Sequence, residues 1–100
     1  MIYRGTTPRL DFTLPFNTDL IDKAYITFHQ KDRQAIEKVK SDCEIDTNKL
    51  ILTLTQTDTL KLVSSVPVKI QVRALLIDGS AVASKVIEKS VNDVLKDGEI

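Results

Sequence analysis

Apolar and polar residues alternate with period two along most of the chain, the pattern of strands that bury one face and expose the other. From Arg9, the residues Leu10, Phe12, Leu14 and Phe16 fall on one side, and Asp11 and Thr13 on the other. Pro15 sets the expected end of regular pairing there, because it has no N–H to give to a ladder. After a polar, turn-like stretch from Asn17 to Lys23, Ala24, Ile26 and Phe28 face inward while Tyr25, Thr27 and His29 face outward. Residues 30–34 read as a hairpin loop. Ala35–Lys40 and Asp42–Ile45 carry a weaker alternation rich in charge, as exposed edge strands do. A turn at 46–49 follows, with Asn48 suited to a left-handed conformation.

Leu50, Leu52 and Leu54 form the inward face of the next strand, with Ile51, Thr53 and Thr55 opposite. The one helical piece predicted is Thr55–Leu62, where Thr55 and Asp58 have the spacing of a capping box. The longest alternation runs from Val66 to Leu76, with Lys69, Gln71 and Arg73 outward. Asp78-Gly79 then marks a tight hairpin with positive φ expected at both central positions. Residues 80–89 return as the partner strand, 91–95 extend it, and the tail 96–100 is expected to fray. About seven short strands within 100 residues predict one domain over 1–100, an antiparallel, immunoglobulin-like β-sandwich with one short helical turn.

Composition narrows the range of functions. A net formal charge of zero, with lysines and acids interspersed, argues against nucleic acid, whose binding needs a concentrated positive field. No apolar run approaches the roughly 20 residues of a membrane helix, and charged Arg4 and Arg9 interrupt any leader-like start. A lone cysteine, Cys43, has no partner for an internal disulfide or a second thiolate for zinc. Absence of disulfides fits a reducing cytoplasm.

Candidate chemistry is sparse. His29 is the only histidine and falls on a polar strand face, with no nucleophile motif or orienting group to complete a triad. Asp42, Glu44 and Asp46 alternate on what reads as an acidic solvent face, without the spacing or glycine of a calcium loop. Cys43 among them is expected to point inward as an unreactive small hydrophobe. Arg73 is expected to pair with acids across its sheet. The three glycines form no phosphate loop. The reading assigns no catalytic, metal or cofactor-binding residue and expects no enzyme.

The apolar residues that break the alternation are more informative. Tyr25, Ile51, Leu75, Ile77 and Val82 fall on expected outward faces, and exposed apolar clusters mark partner surfaces in soluble proteins. Residues 1–8 read as an extended N-terminal arm whose Ile2 and Tyr3 would pair with a neighbouring subunit's sheet edge. These seven residues form the candidate partner surface.

The opening Ile2-Tyr3-Arg4-Gly5-Thr6-Thr7-Pro8, the strand Ala24-Tyr25-Ile26-Thr27-Phe28, Leu54-Thr55-Gln56 followed by Thr59-Leu60, and the closing Lys96-Asp97-Gly98 resemble small phage and prophage proteins of Gram-positive bacteria from the tail and baseplate region. The layout is similar to the N-terminal β-sandwich domain of siphophage upper baseplate proteins. The resemblance implies a structural or assembly module that binds other tail or baseplate subunits, or copies of itself. It further implies residence in the bacterial cytoplasm during assembly, or in the virion. A carbohydrate- or host-surface-binding sandwich is the alternative, although such sites favour aromatic platforms and the chain has no tryptophan.

Overall fold

A computed structural model describing residues 1–100 shows ten strands: β1 (Ile2–Tyr3), β2 (Arg9–Thr13), β3 (Ile21–Gln30), β4 (Arg33–Val39), β5 (Glu44–Asp46), β6 (Lys49–Thr53), β7 (Val68–Leu76), β8 (Ala81–Ala83), β9 (Ile87–Lys89) and β10 (Val91–Asn92). One helix, α1 (Gln56–Leu60), and two 3₁₀ turns, Thr18–Leu20 and Lys40–Asp42, complete the elements. The smaller sheet runs β2-β6-β5, and the larger runs β4-β3-β7 with β8 and β9 in tandem along the far edge of β7. All pairs in these two sheets are antiparallel. With the strands lettered as in an immunoglobulin domain, the smaller sheet has the order B-E-D and the larger C′-C-F-G, the immunoglobulin-like arrangement.

The alternating runs explain the core. Ile26, Phe28 and Val68, Ile70, Val72 from the larger sheet meet Phe12, Leu50 and Leu52 from the smaller one, and Leu54 just past its end, in a single cluster of 17 buried apolar residues. Burying such side chains contributes roughly 1.5–3 kcal/mol each, so this layer dominates the stability of the fold. Gln30 ends the inward row of β3 and is itself buried. Its amide donates to the Val63 and Val66 carbonyls at 2.8 and 2.9 Å, and its oxygen accepts from the Val63 N–H at 2.7 Å. That single side chain satisfies the backbone of the loop leading into β7.

Helix α1 is too short to hold itself. Thr55 Oγ1 accepts from the Asp58 N–H at 3.1 Å, and Asp58 Oδ2 accepts from the Thr55 N–H at 3.0 Å, so the expected capping box is formed. Lys38 on β4 lies opposite the buried Ile26 and reaches Asp58 Oδ2 at 3.0 Å. A charged residue thus points inward from the edge strand and ties it to the helix.

Several local features differ from the sequence reading. Arg33 and Gln34 belong to β4, so the β3–β4 connection is only Lys31 and Asp32, with Lys31 at φ 54°. Strand β7 starts at Val68, after Pro67. Gly79 alone has positive φ in the 76–80 turn, at 91°. The Gly79 N–H donates to the Leu76 carbonyl, and the Leu76 N–H donates to Ser80. That is a three-residue loop ending in a left-handed glycine, not the two-residue turn expected from Asp78-Gly79. Asp78 instead accepts from the Ser80 N–H, which holds its carboxyl below the usual range.

The termini also depart from expectation. Residues 1–8 do not extend off the domain: β1 pairs in parallel with β10, Ile2 opposite Val91, and Ile2 is 1% exposed. The Arg4 guanidinium donates to the Leu62 and Leu60 carbonyls at 2.8 and 3.2 Å and to Asp93 and Asp97 at 3.1 and 3.2 Å. Thr59 Oγ1 donates to the Thr6 carbonyl at 2.9 Å. The tail is fastened too, since Gln56 exchanges hydrogen bonds with the backbone of Ile100 at 2.8 and 3.2 Å.

Candidate functional site

The structure separates the seven residues of the candidate partner surface. Tyr25 and Leu75 lie on the outer face of the larger sheet, in successive cross-strand rows with Val39, Arg73, Lys23 and Ala81. Ile77 follows at the turn and is 68% exposed. Ile51 lies on the outer face of the other sheet, opposite Asp11 and Glu44. The face expected for Val82 is a correction: it is 37% exposed, but it pairs with the buried Ala74 and so lies on the inner side of the sheet, lining a groove with Leu14 and Phe16. The irregular turn shifts the alternation by one position, which a period-two reading cannot see. Ile2 is the second correction, because the docked arm buries it; Tyr3 beside it stays exposed.

One coherent surface remains. Tyr25 and Val39 are directly opposite each other on β3 and β4, 43% and 37% exposed, with Leu75 37% exposed in the next row. Tyr25 and Val39 line a groove of about 410 Å³ together with Lys23, Lys40, Cys43 and Ile45. The 3₁₀ turn Lys40–Asp42 contributes Lys40 and Ser41 to its lining and is held in place: Lys40 Nζ donates to the Ile21 carbonyl at 2.9 Å, and Asp42 accepts from the Val39 N–H at 2.9 Å. Asp42 is thereby taken out of the acidic row expected from its spacing with Glu44 and Asp46. Val39 and Ile45 are exposed apolar residues that the sequence reading passed over, because each sits between charged or polar neighbours in a short edge segment.

Cys43 packs against the core from the groove wall. Burial, reinforced by the neighbouring Asp42 carboxylate, pushes its thiol up to about 11, so it is an unreactive thiol at neutral pH. A second groove, about 320 Å³, crosses the outer face of the larger sheet between Thr27, His29, Lys69, Gln71, Arg73 and Val86. Arg73 faces Tyr25 and Ala83 across the sheet, so the cross-strand acid expected for it is not there. Gln71 is fixed by donating to the Ser84 carbonyl at 3.0 Å.

No helix is long and apolar enough to cross a membrane. No family model, curated protein or solved structure matches the chain.

Proposed function

We propose that this domain is a structural or assembly module without catalytic activity, which binds other protein subunits through the outer face of its larger sheet. The phage tail or baseplate is the setting that the sequence resemblance implies. The observation that supports this reading is the row Val39–Tyr25 with Leu75 beside it, exposed apolar side chains on one sheet face next to an open groove. Tyrosine and aliphatic residues grouped in this way, with charged residues at the rim, have the make-up of a protein-binding surface. The carbohydrate-binding alternative would need aromatic residues converging on one groove. The groove at Tyr25 is lined from β3, β4, β5 and the segment between β4 and β5, without Tyr3.

The test is co-purification and light scattering with the tail or baseplate subunits encoded beside this chain, using the wild type and Tyr25→Asp/Leu75→Lys. Loss of the complex in a variant with an unchanged circular dichroism spectrum is expected. Complexes that form equally well with the variant would refute the assignment of this face.

A further inference from the structure

The free edge of the smaller sheet points to a second copy of this chain. Strand β2 pairs only with β6. The Leu54 N–H donates to the Pro8 carbonyl, and the Leu14 N–H donates to Asn48. In an antiparallel ladder the bonded residues alternate, so even-numbered Leu10 and Phe12 bond to β6. The N–H and C=O groups of Arg9, Asp11 and Thr13 then point away from the sheet, unpaired. Pro8 has its missing donor on the β6 side, where it does not protect this edge.

We propose that two copies associate by antiparallel pairing of β2 with β2 around a twofold axis at Leu10, Arg9 of each facing Asp11 of the other. Only odd-numbered residues offer main-chain bonds on this edge. The register with Asp11 opposite Asp11 sets like charges together, whereas the register centred on Leu10 sets two opposite-charge pairs together. Arg9 and Asp11 already touch within one strand, Nε to Oδ1 at 3.3 Å, and both are solvent-exposed. They need only exchange partners. About four main-chain hydrogen bonds would close between the strands.

Other edges are less suited to self-pairing. β4 carries an irregular register with β3 and the inward charge of Lys38. β5 is Glu44-Ile45-Asp46, which would face its own acids. β8 and β9 have three residues each. Along β2, by contrast, an apolar seam opens toward β9, lined by Leu10, Phe12, Ile70 and Ile87 in a groove of about 160 Å³. It continues past Leu14, Phe16 and Val82 in one of about 290 Å³. Leu10 of the partner would sit over the first. A contact confined to one strand edge is small, so the dimer should be weak and concentration-dependent.

This inference concerns a different face from Tyr25 and stands or falls separately from subunit docking there. Sedimentation equilibrium from about 10 µM to about 1 mM should show a shift from 11.2 kDa toward twice that mass. Arg9→Asp and Asp11→Arg should each weaken association at least ~10-fold, and the double exchange should restore it to within ~3-fold. In a Cys43→Ser background, Leu10→Cys should form an intermolecular disulfide on mild oxidation, since residues facing across a non-bonded pair have Cα atoms about 4.5 Å apart. A wild type that stays monomeric throughout overturns the proposal. So does a dimer indifferent to both charge reversals. A dimer lost in Tyr25→Asp but retained in Arg9→Asp overturns the edge assignment and leaves docking through the Tyr25 face standing.

Discussion

Removing the Asp58 carboxylate should destabilise the domain more than its position on a five-residue helix suggests. Asp58 Oδ2 accepts from the Thr55 N–H and also holds the Lys38 ammonium at 3.0 Å. Losing a capping interaction costs about 1 kcal/mol. Lys38 would lose its partner while its side chain is 23% exposed, so it can turn partly to water. Its cost should therefore fall to about 1–2 kcal/mol, below that of a fully buried orphaned charge. Asp58→Ala should then lose about 2–3 kcal/mol. Asp58→Asn keeps an acceptor for Thr55 and should lose about 1–2 kcal/mol by the same reasoning.

Urea denaturation at pH 7 of the wild type, Lys38→Met, Asp58→Ala and the double variant closes a cycle. It should return a coupling of about 1 kcal/mol. Coupling below about 0.3 kcal/mol, with the Asp58→Ala loss confined to the cap, would refute the argument that Lys38 staples the edge strand to the helix. The pH dependence gives a second check. Burial alone would raise the carboxyl, but the Thr55 N–H, the Lys38 ammonium and the Thr55 hydroxyl outweigh it, and Asp58 titrates below its ordinary value. A carboxyl lowered on folding stabilises the protein above its unfolded pKa of about 4 and loses that contribution as pH falls through the folded value. The wild type should lose stability below about pH 4, and Asp58→Asn should lose less.

Three further outcomes are expected. Arg4→Met leaves the Leu60 and Leu62 carbonyls without their guanidinium donor. It should cost about 1–2 kcal/mol and speed amide exchange at Ile2 and Arg4 about tenfold or more, read by hydrogen exchange. Lys31→Gly relieves a left-handed residue in the β3–β4 turn and should raise stability by about 0.5–1 kcal/mol, measured by the urea midpoint. Cys43 should react with a disulfide reagent near pH 8 at least ~100-fold more slowly in the native protein than in denaturant, since its thiol lies near 11 rather than about 8.5. Equal rates would refute its placement.

The inner strands were legible because a half-buried strand repeats every two residues. Ala24, Ile26 and Phe28, then Leu50, Leu52 and Leu54, and then Val68, Ile70, Val72 and Ala74 all turn inward as that period requires. The Thr55–Asp58 cap was legible for the same local reason. What alternation could not carry was anything decided between distant segments. Ile2 is apolar in either reading, and only its pairing with Val91 shows that it is buried. The orientation of Val82 depends on how many residues the 76–80 turn consumes, which Asp78-Gly79 leaves open between two hairpin types. The groove at Tyr25 joins residues 22–25 with 39–45, and no spacing rule links those stretches. Lys38 reads as an ordinary edge charge until the helix carrying Asp58 is placed above it.

The pairing of β1 with β10 also bears on how the chain folds during synthesis. Ile2 meets Val91, and Arg4 meets Asp93, 89 positions further along the chain. Such a contact cannot form until residues 91–93 have left the ribosome, and closing so long a loop is entropically slow to be rewarded. The hairpins β3–β4 and β5–β6 can form earlier, from neighbouring residues. Until the ends meet, the apolar side chains of Ile2 and Val91 lack their cover, and the Ser90 and Asn92 carbonyls lack the N–H groups of Ile2 and Arg4. The nascent domain should therefore pass through a protease-sensitive stage that ends abruptly once residues 90–93 have emerged to meet β1.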